Sequence, residues 1–542
     1  MRRSVLFILS SLMVMASRAT VPAPADYRVV FKDGTSAYYS SLETEMTFSE
    51  DATVMYITIG GSRASYVVSG IETIEFAQAG AYSGKYSHGG AHVDVVIDST
   101  DDSSYAEVKE QVIKDESHED YGDFIENFKL SYTVVITYDG DKATCTFSPK
   151  KPSYVTTIVN GAHVSIIATK EGKIAYSLKG ATANGSFKLY SDKKALISLD
   201  GVSITNPTGS AINIQSSKTQ LIRLADGTTN SLEDGTPYTL VEEEQQKGTF
   251  FSEGQLVFSG KGSLNVKSNY GHGIASDDYV RMRDGNITIN SVRDGISTKD
   301  RFIMSGGTLT INANQDGIDV GEGYVEIGAG KINIQAGDEG ITASYEGDED
   351  TGEVDPSVTP YVEIKGGLVK VTTTGDKGHG LRAMSTFTMS GGIVQATTKG
   401  AGSKALMSEG DMSLTGGKVT ALTEGDALYE DGDLSSSAGI RSKGVLTITN
   451  MTIGAKSTGT GGKGINNVGD IMMKNSHVTV VSSGATHKSN GLDSRSRGVT
   501  SDGDLTIDSG SLLVRSYEEP LYLRGAHTFL NNAVYSGYQV GK

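Results

Sequence analysis

From Ala162 onward the chain alternates apolar and polar residues in short runs, and the runs recur. One apolar residue marks each unit: Ile274 (HGI), Ile296 and Ile318 (DGI), Ile341 (EGI), Leu381 (HGL), Leu406 (KAL), Ile440 (AGI), Ile465 (KGI), Leu492 (NGL) and Leu521 (EPL). Successive spacings are 22, 22, 23, 40, 25, 34, 25, 27 and 29 residues. Each early marker is followed by two alternating segments joined at a glycine, as in "FIMSGGTLTINA" and "YVEIGAGKINIQ". "ALISLDGVSITNPTGSAINIQ" has the same shape around Ile212. A period of two predicts strands. Three short strands in about 22 residues predict one coil of a solenoid. Inward residues then stack on their equivalents one coil away, at the inter-strand spacing of about 4.8 Å. The expected fold is all-β, a single-stranded parallel β-helix with the markers as an interior ladder. A β-sandwich array has no reason to keep such a register.

The long spacings predict inserted loops at 344–360 and 429–437, and a further insertion at 221–250 that caps or flanks the rod. Ahead of the repeats, residues 26–78 carry short strand patterns such as "ATVMYITIGG" and predict a small N-terminal β module. Residues 79–160 read as a mixed connecting region. In it "YAEVKEQVIKDESHEDYGDFIENF" predicts a helix and "SYTVVITYDGDKATCTFS" a hairpin. The β-helix is expected over 161–542. Residues 1–19, "MRRSVLFILSSLMVMASRA", combine two arginines, a short apolar run and small residues Ser17 and Ala19, the pattern of a signal peptide. The single cysteine, Cys145, lies far from that segment, so no lipid-anchoring cysteine follows it. A secreted, periplasmic or cell-surface location is the expectation.

Charge then narrows the partners. With 65 acidic against 48 basic residues the net charge is −17. Such a chain repels phosphate backbones and anionic membranes, which argues against nucleic acid and favours divalent cations as counter-charge. Stacking turns register into columns. Two positions before the markers stand His272, Asp294, Asp316, Glu339 and His379; four positions after them stand Asp278, Asp300 and Glu322. Asp319 follows one marker directly, and Asp338 precedes Glu339. The residues before and after one short strand are expected near the same edge of the rod. Two carboxylates about 5 Å apart repel by roughly 3 kcal/mol at an effective dielectric near 20, which raises pKa values or demands a cation. Oxygen ligands from Asp and Glu suit Ca²⁺, and the absence of Cys/His clusters argues against zinc or iron. An Asp before Gly is also an ordinary turn residue, and the acidic stretch at 348–355 lacks the pattern of an EF-hand loop. The two histidines are expected as capping hydrogen-bonders. Lys299, Arg293 and Arg301 flank the acids as surface cations or as the base of a lyase. Tyr270, Tyr279, Tyr324 and Tyr345 are candidates to stack on sugar rings.

The phrases "LISLDGVSITNPTGSAINIQ", "LIRLADGTTNSLEDG", "GTFFSEGQLVFSGKGSLNVKSNYGHGIASDDYVRMRDGNITI" and "DGIDVGEGYVEIGAGKINIQAGDEGITAS" resemble a secreted carbohydrate-binding β-helix family. That family was first described in a cellulolytic clostridium and is widespread in gut Bacteroidetes, where this chain is placed. The resemblance covers roughly residues 160–525. It implies a right-handed parallel β-helix similar to pectate lyases, bound calcium, and binding of acidic plant cell-wall polysaccharide (polygalacturonate-like, pectin) or cellulose. It does not imply cleavage. Carried over position by position, it points to metal ligands at Asp277, Asp278, Asp294, Asp300, Asp316, Asp319, Asp338 and Glu339. Beyond about residue 345 the acids give way, with Lys404 at one such position. The N-terminal module lies outside the resemblance and looks like small β modules of Bacteroidetes surface proteins. Three functions follow in order: a non-catalytic calcium-dependent polysaccharide binder, a calcium-dependent polysaccharide lyase, and a structural or adhesive rod.

Overall fold

The computed structural model describes residues 25–540 apart from 33, 35, 41–43, 60–61, 79–80, 83–109, 171, 240, 242–243, 346–354 and 532. The expected signal peptide and most of the acidic insertion therefore lie outside the described residues.

Each repeat contributes three strands. In one coil these are Ile296–Thr298, Arg301–Met304 and Thr308–Ala313. Each pairs in parallel with its equivalent in the next coil: Ile296 with Ile318, Arg301 with Tyr324, Thr308 with Lys331. The markers other than Leu492 therefore form one continuous ladder within a 15-stranded sheet. The architecture is all-β with large parallel sheets in a β-helix-like stack. Ile274, Ile296, Ile318, Ile341, Leu381, Leu406, Ile440 and Ile465 are all buried. Each buried side chain of this kind contributes about 1.5–3 kcal/mol, and the ladder fixes the register of everything that flanks it.

The ladder corrects three expectations. Leu492 is not an anchor. It sits on a small hairpin, His487–Ser489 with Leu492–Ser494, and is 39% exposed. The rung belongs to Val499, which pairs with Ile465 and Leu521. The 221–250 stretch is only in part an insertion. Gln220–Leu224 and Thr229–Asp234 pair in parallel with their neighbours and Phe250 is a rung between Ile212 and Ile274, which narrows the insertion to the stretch between Asp234 and Gly248. The apolar pattern there had strand period but lacked the glycine-marker triplet. Between 110 and 128 the chain forms two 3₁₀ turns, Glu119–Asp123 and Ile125–Asn127, and no α-helix. Its acids are drawn out to arginines of the rod instead: Arg281 meets Glu110, Asp120 and Asp123, and Arg283 meets Glu110 and Glu126. The expected loop near 429–437 is a hairpin, Leu428–Glu430 with Asp433–Ser435.

Both ends of the stack carry added antiparallel strands, which mask part of the strand edge that would otherwise pair with other chains. At the start, Tyr132–Asp139 and Lys142–Ser148 form the expected antiparallel hairpin, and the first of these strands pairs in parallel with Ile174–Thr182. At the far end the N-terminal strand Ser62–Val67 pairs antiparallel with Val534–Gln539. The N-terminal strands thus cover the last coil.

Candidate functional site

The acids stand at the corner where the third strand of one coil turns into the anchor strand of the next. Glycine permits this corner. A Cβ on Gly317 would lie 2.4 Å from Gly340 O and 2.4 Å from Ile334 Cγ2, so no side chain fits between acid and anchor. The rungs then run in step. Gly295 N–H donates to Asp316 O (2.9 Å), Gly317 N–H to Glu339 O (2.9 Å) and Gly340 N–H to His379 O (2.8 Å). Side chains join the same ladder: Asp316 N–H donates to Asp294 Oδ1 (3.0 Å) and Glu339 N–H to Asp316 Oδ1 (2.8 Å). His272, Asp294, Asp316, Glu339 and His379 are one column.

Its ends are compensated and its middle is not. His272 Nδ1 lies 2.9 Å from Asp294 Oδ2, an attraction that operates when the imidazole is protonated. Arg382 Nη1 lies 3.4 Å from Glu339 Oε1. Asp316 has no cation partner among the described residues. Burial, then the charges of Glu339, Asp294 and Asp319, push its carboxyl well above the usual range. Glu339 is also pushed up, by burial and by Asp338, with Arg382 acting against the shift. His379 is buried and accepts the Lys404 N–H at Nδ1 (3.1 Å), so it caps the column as a neutral ring.

Asp316, Asp338 and Glu339 each bring an oxygen within 4.8 Å of the others. Oxygens bound to one Ca²⁺ at 2.3–2.6 Å stand at most about 5 Å apart, so the spacing and the donor set fit a hard cation. Asp294 occupies the next rung, and Asp319 lies on the anchor strand beside them. The other three expected ligands are elsewhere. Asp277, Asp278 and Asp300 stand beyond the opposite end of the anchor strand rather than at the same edge. Asp278 accepts from Gln255 and is pushed up to about 6 by burial and by Asp300. Asp277 Oδ1 is 2.5 Å from Lys247 Nζ. An extended strand separates its two ends, and a short one is long enough to make two acidic groups. Glu322 leaves its expected column because the extra residue sets it against Lys299 (3.3 Å).

Lys299 and Arg301 do not suit proton abstraction. Glu322 holds the Lys299 ammonium above its ordinary value despite burial, and Arg301 is fixed between the Tyr279 ring (4.4 Å) and the Tyr324 hydroxyl (2.8 Å). Tyr279 is buried with its hydroxyl on Asp123 (2.7 Å), which takes it out of the sugar-stacking set. Tyr324 stacks on Tyr361 at 4.6 Å, and Tyr270, 40% exposed, stacks on Tyr238 at 4.4 Å.

Immediately before the acids in each coil lies an open groove of about 590 Å³ lined by Asn269, Asn290, Asn312, Asn314 and Gln335. Asn312 donates to Asn290 across coils (3.1 Å). Ladders of amides offer both donors and acceptors, which is the chemistry sugar hydroxyls require. Sequence reading missed this groove, although the Asn residues recur at the ends of the third strands.

The carbohydrate-binding domain-containing protein family matches residues 160–459, over half of the chain. A protein of that description from Acetivibrio thermocellus (strain ATCC 27405) is 32% identical over 140 residues, 24% of this chain and 48% of its own length. The chain thus spans about half the length of the curated relative it matches. A solved structure of the polysaccharide lyase-like protein from C. thermocellum, in its gadolinium derivative, is 24% identical with a TM-score of 0.39, over 53% of this chain and 99% of that one. By its match over the repeats, the chain belongs to the carbohydrate-binding domain-containing protein family.

Proposed function

We propose that the protein is an exported, non-catalytic, calcium-dependent binder of acidic plant cell-wall polysaccharide, polygalacturonate-like, or of cellulose, and that its stack is a right-handed single-stranded parallel β-helix. The observation that carries this is the uncompensated Asp316 beside Asp338 and Glu339, adjoining an amide-lined groove in a carbohydrate-binding family. A chain of net charge −17 repels a polyuronate, and a cation held by the column reconciles the two charges. Asp294 and Asp319 would complete the oxygen set, and Asp277, Asp278 and Asp300 would hold a second ion at the far end of the strand. The groove amides would take the sugar hydroxyls. The location that follows is outside the cytoplasm, at the cell surface or in the periplasm.

The test is polygalacturonate binding by the whole protein with Ca²⁺ and with excess chelator, alongside calcium titration of Asp316→Asn. Loss of most binding on chelation supports the reading. Binding that is unchanged in chelator overturns the bridging role of calcium.

A further inference from the structure

The acidic column does not end at Glu339; it changes sign. The position two before the anchor continues as His379, Lys404, Ala438, Lys463 and Arg497, the last four paired rung by rung in the same sheet. Ala438 opens a gap between the two lysines. Arg441, one position beyond the anchor Ile440, stands on that same strand, Ala438–Ser442. Lys404 is buried, while Arg441 and Lys463 are half-buried and reach solvent.

Of these cations Arg497 is paired with Glu519 (2.9 Å), and among the described residues Lys404, Arg441 and Lys463 are not paired with a carboxylate. Lys404 Nζ donates to two neutral groups, Gly402 O (2.6 Å) and Ser435 Oγ (2.7 Å). Among the nearby carboxylates, Glu409 is engaged by Lys443, Glu430 by Lys377 and Asp502 by Arg524 (3.2 Å), while Asp433 favours the Arg441 charge from a distance without an ion-pair contact. Among the described residues no carboxylate stands in ion-pair contact with Lys404, Arg441 or Lys463. Burial and the other cations push Lys404 down to about 7 and Lys463 down to about 8. In a chain of net charge −17, a stacked group of basic side chains without counter-charge is built against the general field. An external anion would relieve the cost of leaving them unpaired.

We infer that Arg441 and Lys463, backed by the Lys404 charge, form an anion subsite that binds the carboxylate or sulfate groups of an acidic polysaccharide directly, without a bridging cation. The inference rests on the reading of the protein as a polysaccharide binder and adds to it a calcium-independent contact on the same edge of the rod. A chain lying along that edge would meet calcium over the acidic rungs and bare cations over the basic ones.

The test uses the whole protein in excess chelator at low ionic strength, with polygalacturonate, dextran sulfate and neutral dextran as probes in affinity electrophoresis. The expected result is residual binding to an acidic probe that weakens with salt and falls at least tenfold in Arg441→Gln/Lys463→Met. Lys463→Arg should retain most of it, and an unchanged melting curve for each variant separates lost contact from lost fold. Retention of polygalacturonate alone assigns a carboxylate; retention of dextran sulfate alone assigns a sulfate. Absence of chelator-resistant binding, equal retention of neutral dextran, or residual binding undiminished in the double variant overturns the inference. If instead calcium bridging alone is wrong, chelation leaves wild-type binding whole and the double variant still loses it.

Discussion

Two stretches of one sheet edge share a backbone and differ in charge. From Asp294 to Glu339 the corner position is acidic, and the central carboxylate is left without a cation. From Lys404 to Arg497 the same position is basic except at Ala438, and the cations at Lys404 and Lys463 are left without carboxylates. A small residue before each anchor (glycine at every rung but that of Leu406, where it is Ala405), the buried anchor and the parallel pairing are common to both halves. The scaffold therefore dictates where a side chain stands and leaves its chemistry free, which is the general advantage of a stacked repeat. Neither half is at its electrostatic optimum alone. Each is suited to a partner of opposite sign: a divalent cation over the acids, an anionic sugar group over the bases.

The largest effect is expected from breaking what the halves share. Gly317→Val places methyl groups into Gly340 O and Ile334, both within 2.4 Å of the first added carbon. The loss should be about 4 kcal/mol or more, the range of a core steric clash that backbone shift cannot relieve. Thermal unfolding of the variant should show a drop that calcium does not recover. A wild-type melting temperature would mean that the corner is looser than its glycine implies.

Next in size is the charge of the acidic half. Asp316→Asn keeps an acceptor for the Glu339 N–H and removes the central charge. In calcium-free buffer at pH 8 it should stabilise the protein by about 1–3 kcal/mol, while abolishing the stabilisation that calcium gives wild type. The pH dependence has a definite sign. Asp316 has a native pKa above its unfolded value of 3.8, so its contribution is complete below 3.8 and is lost as pH rises through the native value. Without calcium, wild type should lose stability relative to Asp316→Asn as pH rises from 4. Parallel curves for the two proteins would sink the assignment.

The basic half should behave in the opposite sense and more weakly. Lys404 falls from 10.5 to about 7 on folding, so its contribution is complete above 10.5 and is lost as pH falls toward 7. Lys404→Met sacrifices two neutral hydrogen bonds and removes a buried cation, and should gain about 1–2 kcal/mol at pH 6. That gain should vanish above pH 10.5. Melting curves of both proteins across that interval decide it, and a variant destabilised at pH 6 would show that the hydrogen bonds outweigh the charge.

Much of this was legible in the residues. The 22-residue spacing and the acid-glycine-isoleucine triplets dictate an interior ladder, and with it the Asp294–Asp316–Glu339 column. Three features were not legible, for physical reasons. Whether Asp300 shares an edge with Asp294 depends on the path of a three-residue strand, which spacing alone does not give. In the sequence Lys404 stands only as a lost acid, since a charge reversal becomes a site only when Arg441 and Lys463 are in register with it. Phe250 was hidden because its coil lacks the usual triplet.

The smallest effect tests the reach of the basic column. Leu492 follows Asn490 and Gly491 as an anchor would, and had it been one, the position two before it would be Asn490 and the run of cations would stop at Lys463. The structure places Leu492 on an exposed hairpin and gives the rung to buried Val499, which sets Arg497 next to Lys463. The hairpin misled because an insertion with its own alternation resembles a coil of slightly irregular length. Leu492→Ala should therefore change stability by less than about 0.5 kcal/mol, the usual size for an exposed substitution. A loss of about 2 kcal/mol or more, the signature of a vacated core site, would restore Leu492 to the ladder and detach Arg497 from the column.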